Sequence, residues 1–294
     1  MSAVPLPCQF HAKPWGSELA SVPWLTALLE SDWPADQKVG EVWFGTDDGG
    51  QELLIKLLTT TEPLSIQVHP DDAYARQQGW PCGKHEAWVV LDAQPGACIG
   101  LGLRQPMSAQ QLRDAARDGR LPQLLHWQPV RPGDVIDVPP GTIHAIGAGL
   151  SLLEIQQPAD LTFRLFDFAR GRELHLDEGC AVSHLQPYRR AITRLDDSRE
   201  RVVLCDAGPF TLEAWQWVGP RTFEGRGSDP LCLVPVKGAC VIGGQAAPVR
   251  TAWHLHGPCR LEMAPGTVCV VAYAHSERLS PPVRPPAERF ALQA

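Results

Sequence analysis

Short apolar segments recur along this sequence, and each is bounded by glycine, proline or aspartate. The segments are rich in β-branched and aromatic residues, which is typical of β-strands, and the bounding residues are typical of tight turns. In the first two thirds of the chain the predicted strands are 53–58, 64–69, 87–92, 97–102, 134–139, 150–157 and 162–168. Similar but weaker segments follow residue 190. The pattern predicts a mainly β protein with two barrel-like halves.

Helical patterns are few, and the clearest of them covers residues 108–127. Ser108 can cap the first turn, and Leu112 is followed by alanines at helical spacing. Gly119 and Pro122 are expected to break this stretch into two pieces. The predicted domains are a metal-binding catalytic domain at 1–190 with a helical insertion around 105–128, a second β domain at 191–280 and a proline-rich tail at 281–294.

Charge and cysteine content narrow the possible partners. The net charge of −7 argues against nucleic acid as a partner, because binding to it depends on clustered lysine and arginine. No stretch approaches the 18 apolar residues of a membrane span, and the N-terminus lacks the pattern of a signal peptide. The nine cysteines contain no CxxC pair, which suits buried thiols in a reducing compartment. We therefore expect a cytoplasmic protein that acts on a small molecule.

Four residues with metal-binding side chains lie on or beside predicted strands. Gln67 and His69 are two residues apart on one strand, so their side chains project from the same face. Glu86 stands at the start of the strand predicted at 87–92, directly before its first residue. His144 follows a Pro-Gly turn after the strand 134–139. Two histidines, a carboxylate and an amide oxygen suit zinc, but two histidines and a carboxylate can also hold Fe(II).

The second of these regions resembles a motif of the cupin superfamily, G-x5-P-x-G-x2-H-x3-N. Gly133, Pro139, Gly141 and His144 stand at the required spacings, and only the last position departs, being Ala148. The resemblance implies a jelly-roll β-barrel of the cupin class, with a second, degenerate cupin-like half.

The other cupin motif is altered. It normally runs His-x-His followed by Glu, whereas this chain has Gln67 and His69 with Glu86 displaced by an insertion. The strings LSIQVHP, GKHEAWVVLD and PPGTIHAIGAG resemble type I mannose-6-phosphate isomerases of the short bacterial form, and the resemblance covers residues 10–180. It implies that one Zn²⁺ per chain is bound by Gln67, His69, Glu86 and His144.

The same resemblance implies roles in catalysis and in binding a sugar phosphate. Arg164 and Asp160 take the place of catalytic residues, and Ser65 and Lys84 that of substrate-binding residues, with Lys56 on the neighbouring strand. The chemistry agrees, since aldose–ketose isomerisation passes through a cis-enediol whose negative charge a guanidinium can stabilise without acting as a base.

A proton must also move between neighbouring carbons of the sugar. Asp160, Glu154 and a water on the metal are all suitable from the sequence. His85 is a weaker candidate, because it is next to Glu86 on the strand and therefore faces the other way.

Other functions stay open from the sequence. They are isomerisation of another aldose or sugar phosphate, Fe(II)-dependent dioxygenation, and non-catalytic sugar binding. The oligomeric state is expected to be a monomer or a homodimer.

The second half of the chain imitates a first cupin motif with His254, His256 and Glu262, but Cys269 takes the place of the last histidine. We therefore expect that half to have lost its metal.

Overall fold

A computed structural model gives the fold and describes residues 2–29, 32–34, 36–45, 52–195, 199–225, 230–274 and 283–284. The strands are β1 (Ala3–Pro5), β2 (Cys8–Ser17), β3 (Val39–Phe44), β4 (Leu54–Thr59), β5 (Ile66–Val68), β6 (Glu86–Ala93), β7 (Cys98–Leu103), β8 (Leu125–Pro129), β9 (Asp134–Val138), β10 (His144–Ile146), β11 (Leu150–Gln156), β12 (Phe163–Phe166), β13 (Thr193–Arg194), β14 (Arg201–Asp206), β15 (Phe210–Trp215), β16 (Gly219–Phe223), β17 (Leu231–Lys237), β18 (Cys240–Ile242), β19 (Gln245–Ala247), β20 (Trp253–Leu255), β21 (Cys259–Met263), β22 (Val268–Ala274) and β23 (Val283–Arg284). The helices are α1 (Pro23–Leu28), α2 (Asp72–Gln77), α3 (Ala109–Arg117), α4 (Leu121–Leu124) and α5 (Leu176–Val182), with a 3₁₀ turn at Leu19–Ser21. The prediction of a mainly β protein is confirmed, and no helix in the described ranges is long and apolar enough to cross a lipid bilayer.

The chain divides into two compact units. The larger is Pro7–Asp196, and the smaller combines Met1–Leu6 with Asp197–Ala294. The N-terminal residues join the smaller unit because β1 pairs with β20, where Ala3 is opposite Leu255. Most of the predicted tail at 281–294 lies outside the described residues, and the part described is β23, which pairs with β16.

The larger unit contains two antiparallel sheets. Seven strands lie in the order β13-β9-β6-β11-β4-β3-β2, and five in the order β12-β5-β10-β7-β8. Trp88 and Leu152 of the first sheet pack with Ile99, Leu101 and Ile146 of the second, so the two sheets enclose a shared apolar core. Every residue of β11 is buried, as suits a central strand. The result is a sandwich of the jelly-roll type.

The helical insertion lies on the five-stranded sheet of this unit. Ser108 caps α3 as predicted, with its hydroxyl accepting from Gln111 N while Gln111 Oε1 accepts from Ser108 N. The prediction of helix through residue 127 is wrong at its end, because 125–129 form β8. Leu125 is buried, His126 is exposed and Trp127 is half-buried, and this alternation lets the segment pair with β7.

The smaller unit also has two antiparallel sheets with an apolar core between them. Their orders are β1-β20-β17-β22-β15-β14 and β19-β18-β21-β16-β23. One carboxylate is fully buried there: Glu213 accepts hydrogen bonds from Arg201, from Trp215 Nε1 at 2.7 Å and from Tyr273 Oη at 2.7 Å. A buried charge with this many donors is satisfied, and it fixes the packing of β14, β15 and β22.

Candidate metal centre and active site

Three predicted site residues lie side by side in the five-stranded sheet of the larger unit. Gln67 on β5 is directly opposite His144 on β10, and Arg164 on β12 is directly opposite Gln67 from the other side. Residues that oppose each other on neighbouring strands project from the same face of a sheet. Strand pairing therefore brings together residues that are far apart in sequence.

A buried triad lies at this point. His69, Glu86 and His144 offer ligand atoms that all lie within 4.8 Å of one another. Glu86 Oε1 is 3.2 Å from His69 Nε2, and Glu86 Oε2 is 3.7 Å from His144 Nε2. Three of the four predicted metal ligands are thus brought together.

Each histidine of the triad is oriented by a carbonyl oxygen. His69 Nδ1 lies 2.9 Å from Leu161 O, and His144 Nδ1 lies 2.8 Å from Thr142 O. A carbonyl can only accept a hydrogen bond, so each Nδ1 carries the proton and each Nε2 has a free lone pair. Histidines that bind metals are commonly held in this way.

The charge states of the triad suit a divalent cation. Burial lowers the pKa of both histidines, that of His144 to about 3, so the rings are neutral near pH 7. Burial alone would raise the pKa of Glu86, but Lys84, whose Nζ is 2.9 Å from Glu86 Oε1, holds that pKa well below its usual range. His69 Nε2 and Glu86 Oε2 are buried without a hydrogen-bond partner among the described residues. A bound cation would satisfy both atoms.

Gln67, the fourth predicted ligand, adjoins the triad. Its Nε2 lies 3.3 Å from His144 Nε2, and its Oε1 accepts a hydrogen bond of 3.1 Å from the Ser65 hydroxyl. The nitrogen and oxygen of an amide are assigned from such contacts. Binding a metal through the oxygen requires the amide group to be turned over relative to this arrangement.

A cavity of about 210 Å³ adjoins the triad and is lined by residues of the larger unit. Gln67 and Glu86 are part of its wall, as is every residue predicted to bind or convert the substrate: Ser65, Lys56, Lys84, Asp160 and Arg164. The charged lining residues are Lys13, Lys56, Lys84, Arg164, Arg172, Glu41, Glu86, Glu154 and Asp160. The excess of cations suits an anionic ligand.

The opposite wall comes from the seven-stranded sheet. Trp43, Lys56, Glu154 and Trp88 are successive cross-strand neighbours on β3, β4, β11 and β6. Lys56 Nζ lies 3.3 Å from Glu154 Oε1 and 4.4 Å from the centre of the Trp43 ring, and Trp88 Nε1 donates to Glu154 Oε2 at 3.1 Å. Burial and the charge of Glu86 raise the pKa of Glu154 to about 7. Glu154 can therefore accept and release a proton near neutral pH.

Arg164 and Asp160 stand at the more open side of the cavity. Arg164 Nη1 donates to Glu173 O at 2.7 Å, whereas its Nε is buried and has no hydrogen-bond partner in the part of the chain that the structure describes. Burial and the nearby charge of Arg172 lower the pKa of Arg164, and Arg172 is itself paired with Asp167. Asp160 is exposed. Two guanidinium groups thus line one side of the cavity.

Three charged residues of the wall were not singled out by the sequence. Lys13 and Glu41 lie on β2 and β3, which contain few of the apolar repeats used to predict strands. Arg172 lies in a loop, where no periodicity indicates which way a side chain points. His85 faces away from the triad, as strand alternation predicts, and its Nε2 is 2.6 Å from Asp137 Oδ1.

Comparison with known proteins identifies the family. No protein-family model matches the sequence. The chain is 36% identical over 214 residues to a mannose-6-phosphate isomerase of Streptococcus mutans serotype c, covering 69% of this chain and 67% of that protein. It is 30% identical over 258 residues to the mannose-6-phosphate isomerase ManA of Bacillus subtilis, covering 80% of this chain and 81% of that protein.

Solved structures show the same fold. The crystal structure of the Bacillus subtilis mannose 6-phosphate isomerase matches with a TM-score of 0.75 at 23% identity, over 92% of this chain and 99% of that one. A zinc-bound mannose 6-phosphate isomerase matches with a TM-score of 0.70 at 15% identity, over 94% of this chain and 100% of that one. The predicted cupin fold is confirmed, and the sequence relatives show that this chain belongs to the mannose-6-phosphate isomerase family.

Proposed function

We propose that this chain is an aldose–ketose isomerase that interconverts mannose 6-phosphate and fructose 6-phosphate. The observation that carries the proposal is a buried His69–Glu86–His144 triad, with Gln67 beside it, on a small cavity rich in cations. The names of its relatives supply the sugar, because the cavity alone does not distinguish one hexose phosphate from another. The catalytic part is the unit Pro7–Asp196, which contributes every residue of the cavity wall.

The metal that best fits this site is Zn²⁺, one per chain. Two neutral imidazoles and a carboxylate are usual zinc ligands, and the amide of Gln67 is available as a fourth. A neighbour in fold is described as zinc-bound. When bound, zinc would supply electrophilic polarisation of the sugar's carbonyl group. The orienting bonds to Leu161 O and Thr142 O would hold both histidines ready for it.

The cations of the wall are suited to the phosphate and to the enediolate. Lys84 is buried at Glu86, so it remains next to the metal ligands, where negative charge develops during the reaction. Arg164 keeps an unpartnered Nε and is always charged, so it can bind an anion without removing a proton. Ser65 and Lys56 add a hydroxyl and an ammonium group to the same cavity.

Glu154 is the better of two carboxylates for moving the proton between C1 and C2. Its pKa is raised to about 7, so it exchanges protons readily at neutral pH, and it lies inside the cavity wall at Lys56. Asp160 also lines the cavity but is exposed to solvent. We therefore infer that Glu154 acts as general base and acid, and that Asp160 contributes to binding near Arg164.

The enzyme is further predicted to work in the cytoplasm, as a monomer or homodimer. The spacing of its cysteines and its negative net charge support that location and a partner that is a small molecule rather than nucleic acid.

A three-substrate assay tests the function. The purified full chain is given zinc and, in separate reactions, mannose 6-phosphate, glucose 6-phosphate or free mannose, and ketose formation is followed with a coupling enzyme. We expect conversion of mannose 6-phosphate, with a far lower kcat/KM for the other two sugars. If only free mannose were converted, the proposal that the substrate carries a phosphate would be contradicted. If no sugar were converted, the proposal that the chain is an isomerase would be contradicted.

A further inference from the structure

The residues just before β6 form an irregular segment that carries two groups of the active site. This segment, Gly83 to His85, leads directly into Glu86, and Lys84 within it contacts the carboxylate of Glu86. No strand of the described residues includes it, yet Lys84 and His85 are buried. Glu86 itself is held on β6, opposite Val138 of β9 and Gln156 of β11. The question is therefore what keeps Lys84 of the preceding segment at the Glu86 carboxylate.

Two side chains from other parts of the unit bind the backbone of this segment. Asp72 Oδ1 accepts from Gly83 N at 2.9 Å, and Gln157 Oε1 accepts from His85 N at 3.0 Å. Gln157 Nε2 also donates to Asp72 Oδ1 at 3.0 Å, so the two side chains are joined to each other. Gln157 N donates to His85 O at 3.1 Å. Both ends of the Gln157 amide group are thus engaged in one short chain of hydrogen bonds.

The segment is also pressed against the residues that follow His69. Lys84 N donates to Pro70 O at 3.0 Å. A Cβ placed on Gly83 would lie 2.4 Å from Asp71 C and 2.5 Å from Pro70 O, so only glycine fits there. The backbone that carries Glu86 is thus bound to the backbone that carries His69. Asp72 and Gln157 therefore contact the segment that links the backbones of these two ligands.

We propose that Asp72 and Gln157 are positioning residues of the metal centre, acting through the 83–85 backbone to hold Lys84 against the Glu86 carboxylate and to bind this segment to the backbone that follows His69. The inference rests on the metal site of the proposed function. Neither residue reaches the triad directly, and neither lines the cavity. Loss of groups that orient metal ligands typically weakens metal binding by about 10- to 100-fold.

The test measures zinc affinity on the full chain by competition with a chromogenic chelator. Gln157→Met keeps the volume of the side chain and removes both amide bonds, and Asp72→Ala removes the acceptor of Gly83 N and Gln157 Nε2. We expect the dissociation constant for zinc to rise about 10- to 100-fold in each. Asp72 lies at the partly exposed start of α2. If Gln157→Met does not fold, the zinc affinity of Asp72→Ala tests the proposal by itself.

Two matched controls come from the same helix. Asp71 Oδ1 caps α2 by accepting from Tyr74 N at 2.8 Å, and Arg76 Nη2 pairs with the outer oxygen of Asp72 at 2.9 Å. Asp71→Ala and Arg76→Ala should lower stability slightly but leave zinc affinity at the wild-type value. A merely structural role for Asp72 would make all three variants of α2 behave alike.

A double variant completes the experiment. Because Asp72 and Gln157 act through one chain of hydrogen bonds, Asp72→Ala with Gln157→Met should weaken zinc binding by much less than the product of the single effects. Wild-type affinity in both single variants would overturn the inference while leaving the metal centre standing. A wild-type chain that binds no zinc would instead contradict the proposed function.

Discussion

At the scale of the residue, the site depends on groups whose charge is set by burial. His69 and His144 are kept neutral by desolvation and oriented by carbonyl oxygens, so their Nε2 lone pairs face Glu86. The same desolvation acts on Glu154 in the opposite sense, since it raises the pKa of a carboxyl group. One buried region thus supplies both neutral imidazoles and a carboxyl group with a pKa of about 7.

The role of Glu154 is tested by Glu154→Gln, which keeps the side-chain shape and an acceptor for Trp88. We expect kcat to fall by about 10²- to 10⁴-fold with zinc affinity unchanged, because a general base has been removed. The carboxylate is the active form, so wild-type kcat should rise between about pH 6 and about pH 8 as Glu154, with its pKa of about 7, loses its proton. The variant should lack this rise.

Two other carboxylates of the cavity serve as controls. Burial raises the pKa of Glu41, but Lys56 and Lys13 together hold it below its usual range, so Glu41 is a poor base at neutral pH. Glu41→Gln and Asp160→Asn should each lower kcat far less than Glu154→Gln. Wild-type turnover in Glu154→Gln, or a larger loss in Asp160→Asn, would contradict the assignment of the base.

Local spacing singled out the proposed metal ligands, but it could not choose among Asp160, Glu154 and a metal-bound water as the proposed base. Gln67 and His69 are two apart on a strand, and His144 stands at a fixed distance from a Pro-Gly turn, so both signals are local. The pKa of Glu154 depends on its burial between Trp88 and Lys56, which lie on other strands. Such pairings are not visible in a short stretch of sequence.

At the scale of the element, five of the seven strands predicted in the larger unit were correct to within one residue at each end. These are β4, β6, β7, β9 and β11. The first three residues of β8 were predicted as helix because they directly follow the helical pattern that begins at Ser108, and the pairing of β8 with β7 decides their conformation. The order of strands within a sheet arises from long-range contacts and could not be predicted.

The smaller unit offers a test of a single buried charge. Glu213→Ala would leave Arg201, Trp215 and Tyr273 without their acceptor, and we expect the free energy of unfolding to fall by about 3 kcal/mol. The measurement is urea denaturation followed by tryptophan fluorescence and circular dichroism, which together detect unfolding of one unit before the other.

The control lies in the same unit. Glu262 pairs with Arg260 at 3.4 Å on the surface, so Glu262→Ala should change the free energy of unfolding by no more than about 0.5 kcal/mol. Equal effects of the two substitutions would show that the hydrogen bonds of Glu213 do not stabilise the fold as described.

At the scale of the whole molecule, the proposed chemistry is confined to one of two units. The triad and every residue of the cavity wall belong to Pro7–Asp196. His254 and His256 imitate a first cupin motif in the smaller unit. Within the described residues they do not join a third metal-binding side chain in a close cluster. Within the described residues the triad is thus found in one of two units that are both built from paired antiparallel sheets.

The central claim is that a zinc ion held by the His69–Glu86–His144 triad makes this chain an isomerase. The most direct test strips the full chain with a chelator, measures conversion of mannose 6-phosphate, adds zinc in steps and measures conversion again, with Glu86→Gln treated in the same way. We predict that activity is lost on stripping, returns as one zinc per chain binds, and does not return in Glu86→Gln. Full activity in the stripped protein, or full recovery in Glu86→Gln, would contradict the account.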